Sequence, residues 1–146
     1  MKTNIVVVAH PDDEIIFASS IIRSSRSVVI CFSEIPEDMV SSIGRSQALA
    51  FPYIKNIKAL KIRQSARSKY YLKRKNNTYK NIFYNLDIKD AYIKKDFELN
   101  NQKLERKLLK EIKNGDNVYT HNPWGEYGHI EHIQVFSVIV KLLMEK

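Results

Sequence analysis

The 146-residue sequence contains one cysteine, Cys31, and lacks any run of 18 apolar residues. A lone cysteine cannot form an internal disulfide, and its place inside an apolar run predicts a buried, inert thiol. Without a long apolar run, we expect no transmembrane helix. The N-terminus carries a short apolar run followed by acids, which is not the pattern of a signal peptide, so we expect a cytoplasmic protein.

Glycine and proline are also scarce, at four residues each, while 44% of the residues are hydrophobic and 27% are charged. This composition excludes collagen-like chains and argues against intrinsic disorder. A length near 150 residues is typical of one compact unit with its own core. We therefore expect a single domain over residues 1–146.

Acidic residues are absent between Lys55 and Lys80, where ten residues are basic. Because the formal net charge of the whole chain is +8, the remainder sums to −2. Such a segment can bind an anionic partner, such as nucleic acid or a phosphate-rich polymer, or can be a solvated lysine-rich face. Tyr70, Tyr71 and Tyr79 could stack on bases. The segment shows no nucleic-acid-binding motif, however, so we do not expect nucleic acid to be the partner.

Two short apolar runs rich in β-branched residues, at 4–9 and 27–32, have the pattern of strands that are covered on both faces. The helix-length stretch between them starts with Asp12 and Asp13, which suit a helix N-terminus as cap and first-turn acids. Strand, helix and strand within about thirty residues predict a βαβ unit. We expect the helix to bury a broad apolar face made up of Ile15, Ile16, Phe17, Ile21 and Ile22.

The C-terminal half continues the alternation of helix and strand. A helix is predicted at 101–114, with Gly115 placed where a left-handed residue ends a helix. A strand at 116–120, a loop at 121–128 and a final helix at 129–144 follow. The residues expected to face inward are Leu104, Leu108, Leu109 and Ile112 on the first of these helices, and Ile133, Val138, Ile139, Leu142 and Leu143 on the second.

The middle of the chain has weaker patterns. A loop is predicted at 34–38 and a helix at 39–51, ended by Pro52 because the residue before a proline disfavours helical geometry. Strands at 54–62 and 70–86 are suggested by aromatic and β-branched residues without clean periodicity. Together the elements predict an α/β fold built on a mainly parallel sheet.

All four histidines fall in two segments, AHPDDE around His10 and THNPWGEYGHIEH, which contains His121, His129 and His132. Each segment follows a predicted strand and precedes a predicted helix, which places both at the carboxyl edge of a parallel sheet, where such folds bind ligands. His129 and His132 share one helix face, and the adjacent Asp12 and Asp13 must point in different directions. Two histidines, one carboxylate and an open position would make a catalytic zinc site.

Each of these features also has a structural interpretation. Asp12 and Asp13 could be first-turn acids that the helix dipole favours, and a pair of histidines three residues apart is often a surface or core pair. These explanations would have to place every histidine and a carboxylate cluster at one sheet edge by chance. The metal-site hypothesis is therefore preferred.

The two segments together resemble the PIG-L/LmbE-like family of zinc-dependent N-deacetylases. The resemblance rests on AHPDDE after an apolar strand, and on THNPWGEYGH followed by a second histidine three residues later. It implies a Rossmann-like fold, with helices on both faces of the sheet. It also implies hydrolysis of an acetamido group, usually on an N-acetylglucosamine-type glycolipid, glycoside or thiol-sugar conjugate, so the expected partner is a small-molecule or glycan substrate.

Residue by residue, the resemblance implies that His10, Asp13 and His132 bind Zn²⁺, and that Asp12 is the general base. His129 would stabilise the developing oxyanion or protonate the leaving amine. His121 is expected to orient the loop or a ligand. The predicted substrate-binding residues are Arg45, where family members often carry an arginine, and Trp124 and Tyr127, which could form a platform for a sugar ring or could anchor the loop.

Family chains usually continue past the helix that carries the two histidines, whereas this sequence stops at Lys146. From this we expect a sheet shortened at the C-terminus, with exposed apolar surface that favours a homo-oligomer. Three alternatives to sugar deacetylation remain at this stage. They are a metal-dependent hydrolase of another amide, a binding module that uses residues 55–80, and a family member without activity.

Overall fold

The computed structural model describes residues 3–35, 38–50, 56–64 and 91–145, and only the backbone of 91–93. Its described strands form one four-stranded parallel sheet in the order β3-β2-β1-β4. The strands are β1 (Asn4–Val8), β2 (Ser25–Glu34), β3 (Ile57–Arg63) and β4 (Asn117–Tyr119). The helices are α1 (Asp13–Ala18), α2 (Met39–Ala50), α3 (Ala91–Glu111), the short kinked α4 (Gly125–Gly128) and α5 (Ile130–Met144).

Helices cover both faces of the sheet. Because successive residues of a strand point to opposite sides, alternate residues of β1 belong to two different core clusters. On one face, Val6 and Val8 of β1 pack with Ala18 of α1, and Leu49 of α2 adds to the same cluster. On the other face, Ile5 and Val7 pack with residues of α3 and α5, among them Leu104, Leu108, Val135 and Ile139. The predicted Rossmann-like α/β class is confirmed.

The first helix is shorter than predicted, and the expected burial of its apolar residues is wrong. Asp13 and Glu14 are buried, whereas Ile15 is 50% exposed and Ile16 is 61% exposed. Phe17 is also largely exposed. The helix turns its first acids toward the sheet edge, so the two isoleucines fall on the other side. Only the residues after the helix behave as expected, with Ile22 buried and Ile21 partly buried against the core.

The two long C-terminal helices are confirmed, with changes at their ends and faces. α3 starts at Ala91, ten residues before the predicted start, and Leu109 is exposed while its neighbour Leu108 is buried. Leu143 near the end of α5 is likewise exposed. Gly115 has the predicted positive φ, +86°, but lies in the turn after α3. Part of the predicted 121–128 loop forms α4.

In the middle of the chain, α2 matches the predicted helix, although none of its described residues is buried. β2 extends through Glu34, which was predicted to start a loop. β3 overlaps the weakly predicted strand at 54–62. The predicted strand at 70–86, and the basic segment apart from 56–64, lie outside the described residues.

Cys31 is fully buried in β2, and this burial raises the pKa of its thiol, as expected of an inert cysteine. Within the described ranges, no helix is long and apolar enough to cross a membrane. The sheet order puts β1 beside β4, so the segments that follow these strands meet at the carboxyl edge. From β1 the chain adds β2 and β3 on one side of the sheet and then β4 on the other side. Open α/β sheets bind ligands at the carboxyl edge where the order changes sides in this way.

Candidate metal centre

Three side chains from different elements meet at this edge. His10 follows β1, Asp13 begins α1, and His132 lies in the first turn of α5. Nδ1 of His10 is 3.3 Å from Oδ2 of Asp13 and 3.3 Å from Nε2 of His132, and these last two atoms are 3.4 Å apart. Ligands about 2.0 to 2.1 Å from a tetrahedral zinc lie roughly 3.3 Å from one another. The separations therefore fit one shared metal ion.

Among the described residues, two other sets of side chains also bring three possible ligand atoms within 4.8 Å of one another: His10, His129 and His132, and Asp13, His121 and His132. Hydrogen bonds disfavour them. Nε2 of His121 accepts the backbone N–H of Ala9 at 2.9 Å, so the lone pair of that nitrogen is engaged. Nδ1 of His129 accepts the backbone N–H of Glu131 at 3.3 Å. In the set His10, Asp13 and His132, each facing atom keeps a lone pair for a metal. Oδ2 of Asp13 accepts the backbone N–H of His10 at 2.7 Å, but a carboxylate oxygen has a second lone pair, whereas an imidazole nitrogen has only one.

A glutamate lies behind each of the two central imidazoles. Oε2 of the fully buried Glu131 is 2.6 Å from Nε2 of His10, and Oε2 of Glu126 is 2.6 Å from Nδ1 of His132. An ionised carboxylate can only accept, so these imidazole nitrogens donate, and the opposite nitrogens keep their lone pairs toward the centre. Carboxylates placed in this way orient metal-binding histidines.

Glu126 and Glu131 are functional candidates that the sequence analysis missed. Both stand within the histidine-rich segment, as GEYGH and HIEH. An acid so close to clustered histidines is a usable signal, although the pairing of each glutamate with one ring is visible only in three dimensions. The side-chain amide nitrogen of Gln64, just after β3, lies 3.4 Å from Nε2 of His10 and was also not anticipated.

The imidazole of His132 is fully buried and has ring contacts on several sides. Its ring stacks between His121, at a centroid distance of 3.9 Å, and His129, at 4.5 Å. Phe17 and Tyr127 meet the ring edge-on at 5.9 and 5.6 Å. Because the ring is packed on several sides, its orientation is tightly defined.

The two adjacent aspartates point in different directions, as predicted. Oδ2 of Asp13 accepts the backbone N–H of His10 at 2.7 Å, while Asp12 is exposed. Asp12 is the N-cap residue of α1 and Asp13 lies in its first turn, as predicted, but the side chain of Asp12 makes no capping hydrogen bond. Its φ is +118°, a conformation that is rare and strained for a residue other than glycine.

The surroundings of these groups shift their pKa values. Burial would raise the pKa of Asp13, but contacts with the imidazoles of His10, His121 and His132 hold it well below its usual range. Although Asp12 is exposed as a residue, partial desolvation of its carboxyl by the surrounding protein, reinforced by the charge of Asp13, raises its pKa. Burial, together with the neighbouring imidazoles, lowers the pKa of His129 to about 3. The cluster thus combines an ionised carboxylate with a neutral imidazole.

The predicted substrate-binding residues lie around this cluster to different extents. Nη1 of Arg45 donates to the carbonyl of Phe32 at 3.3 Å. Burial lowers the pKa of Arg45, and the negative charges of Glu131, Asp12 and Asp13 oppose this shift. The ring of the exposed Tyr127 is 6.0 Å from that of His129. Trp124 is partly buried, and its backbone N–H donates to Asn122 Oδ1 at 3.2 Å.

The chain is similar to known proteins over nearly its full length. An uncharacterized protein of Acanthamoeba polyphaga mimivirus is 29% identical over 143 residues, which are 97% of this chain and 56% of that protein. The chain thus spans about half the length of this curated relative. No solved structure gives a significant match. The family model described as PIG-L, GlcNAc-PI de-N-acetylase, matches residues 5–143, so the chain belongs to the PIG-L family of de-N-acetylases.

Proposed function

We propose that this protein is a zinc-dependent hydrolase that removes the acetyl group from an N-acetylated amino sugar of the N-acetylglucosamine type. The observation that carries the proposal is the set of 3.3 to 3.4 Å separations among His10 Nδ1, Asp13 Oδ2 and His132 Nε2. Two imidazoles and one carboxylate at these distances suit a catalytic zinc with an open fourth position. The description of the family supports the reaction, and the precise substrate is part of the proposal.

The chemistry that zinc supplies when bound is polarisation of the acetamide carbonyl and a lower pKa for water. Asp12 accepts a proton from the attacking water as the oxygen bonds to the carbonyl carbon. Asp12 is exposed, whereas the neighbouring Asp13 is buried among the histidines. As the C–N bond breaks, Asp12 passes the proton to the amine nitrogen. Acetate and the free amino sugar leave.

His129 stabilises the negative charge that develops on the carbonyl oxygen. Its Nδ1 accepts the N–H of Glu131, so the proton of the neutral ring is on Nε2, which acts as the donor. His129 also begins α5 as its N-cap residue, which fixes the ring beside His10 and His132. A donor held before the reaction starts needs no reorganisation in the transition state.

Substrate contacts come from the rim of the site. Tyr127, more than half exposed and beside two imidazoles, offers an apolar surface for a sugar ring. Trp124, three residues earlier in the same segment, is the second aromatic side chain that we propose for this contact. Arg45 from α2 can donate to sugar hydroxyls or to a phosphate on the substrate. These roles follow from position and chemistry.

Acetate release tests the proposal directly. The zinc-loaded protein is incubated with free N-acetylglucosamine, a GlcNAc glycoside, GlcNAc-phosphatidylinositol and unrelated N-acetyl amides. We expect acetate from at least one of the sugars, and its loss on chelation. Hydrolysis of the other amides alone would indicate a different amidase. Salt-sensitive nucleic-acid binding without any hydrolysis would indicate a binding module instead.

A further inference from the structure

Glu126 lies in the segment between β4 and α5, and the mechanism above gives it no role. Its Oε2 atom is 2.6 Å from Nδ1 of His132 and 3.2 Å from Nδ1 of His121. Its other oxygen, Oε1, accepts the backbone N–H of Asn122 at 3.1 Å. One oxygen therefore anchors the carboxylate to its own loop, while the other faces two imidazoles.

The backbone at Glu126 is held in an uncommon conformation, with φ at +56° and ψ at −76°. A residue other than glycine stays in such a conformation only where its surroundings impose it. Here the side chain of Asn122 does so, because its Oδ1 accepts the N–H groups of Trp124 at 3.2 Å and Glu126 at 2.9 Å. The loop thus holds Glu126 in place against local strain.

The preceding residue, Gly125, explains how the loop comes so close to α5. A Cβ atom at this position would lie 2.8 Å from Cγ1 of Ile133 and 3.4 Å from Cβ of His132. Its φ is +65°, which also favours glycine. Because the backbone can lie directly against the helix, the next side chain reaches the imidazole of His132.

We propose that Glu126 is a positioning residue of the metal centre, which orients His132 and thereby sets the affinity for zinc. The proposal rests on the proposed function in that it takes His132 as a ligand. By accepting from Nδ1, Glu126 leaves the Nε2 lone pair of His132 facing His10 and Asp13. His121 stacks on the same ring. Its Nε2 accepts the backbone N–H of Ala9, and its Nδ1 lies 3.2 Å from Oε2 of Glu126.

The test is zinc affinity of the full chain, measured by competition with a chromogenic chelator, for wild type and Glu126→Gln. The amide keeps the size of the side chain but removes its charge. We expect affinity to fall by about 10- to 100-fold, the usual effect of losing such an outer partner. Glu145→Gln is the control, since it makes the same charge change on α5 about 20 Å beyond His132 and should leave affinity unchanged.

Wild-type zinc affinity in Glu126→Gln would overturn the proposal. If that variant does not fold, Glu126→Gly is measured instead, because glycine suits the backbone at this position. The same weakening is expected, and unchanged affinity would again overturn the proposal.

A wild-type protein that binds no zinc would overturn the proposed function, but Glu126 would remain testable. ¹⁵N–¹H NMR of the histidine side chains reports which nitrogen of His132 carries a proton. We expect a proton on Nδ1 in wild type and a changed Nδ1–H signal in Glu126→Gln. A wild-type ring protonated at Nε2 alone would contradict the positioning role.

Discussion

The helices α1 and α5 both begin at the candidate metal centre, and each buries polar side chains in its first turn, Asp13 and Glu14 on α1 and Glu131 and His132 on α5. They differ in the residues that follow. Along its length α5 buries apolar residues, among them Ile133, Val138 and Ile139. α1 buries Asp13 and Glu14 and leaves Ile15 and Ile16 exposed. The rotation of α5 about its axis is therefore set by packing against the core. The rotation of α1 is set by the polar contacts of the first turn of α1.

Burying a carboxylate costs free energy unless the group has compensating partners. Asp13 has a backbone N–H and three imidazoles around one oxygen, and Glu14 accepts the N–H of Asp12 at 2.9 Å. These contacts outweigh the gain from burying two isoleucines on so short a helix. The comparison teaches that the chemistry of the site decides the orientation of α1, and four predictions test this.

The largest effect is expected from Asp13→Ala, because it removes the contact on which α1 depends and one of three proposed ligands. Zinc held by His10 and His132 alone should bind far more weakly, and activity should disappear, with part of it recovered at high zinc. Metal content after dialysis and acetate release measure both effects. Full zinc retention in this variant would show that Asp13 is buried for a purely structural reason.

Asp12→Asn should give the next largest effect, and it should separate the two adjacent aspartates. The amide keeps the size of the side chain, and Asn tolerates a positive φ as well as Asp does. Zinc should therefore remain bound. Turnover should fall by about 10² to 10⁴, the typical contribution of a general base. If instead this variant loses zinc while Asp13→Ala retains it, the proposed roles of the two residues are reversed.

The orientation of α1 could not have been predicted from periodicity, since that pattern weighs only the apolar residues of the helix itself. Asp13 is turned inward by His121 and His132, more than one hundred positions away in sequence. The strands β1 and β2 were predictable, because β-branched runs reflect burial on both faces of a parallel sheet. β3 and β4 are largely exposed or intermediate along their length, so the same pattern marks them less clearly.

The candidate site was predictable to a similar degree. The order of elements indicated that the two histidine-containing segments, which follow β1 and β4, meet at one sheet edge. The choice of His10, Asp13 and His132 within those segments came from the family resemblance. Glu126 and Glu131 were not identified, because their importance lies in contacts with single imidazole rings. The positive φ at Asp12 and Glu126 is imposed by neighbours in space, and neither position carries the glycine that would have signalled it.

On α5, Ile139→Ala should lower the free energy of unfolding by about 2 to 5 kcal/mol, the usual range for truncating a buried isoleucine. Its side chain is 2% exposed and packs in the core shared by β1, α3 and α5. Urea denaturation of the metal-free protein provides the measurement, so that zinc binding does not contribute. A loss below 1 kcal/mol would show that α5 is held mainly by its polar first turn, as α1 is.

The smallest effect is expected from the matched substitution on α1, Ile16→Ala. The same three carbons are removed, but this side chain is 61% exposed, so little apolar surface returns to water and no cavity forms. Alanine also favours the helix slightly more than isoleucine does. The free energy of unfolding should therefore change by no more than about 0.5 kcal/mol, and zinc affinity should be unchanged. The two variants are denatured under the same conditions, so that systematic errors cancel in the difference between their free energies of unfolding. A loss from Ile16→Ala as large as that from Ile139→Ala would mean that this isoleucine is buried in the protein in solution, and that α1 is oriented by apolar packing after all.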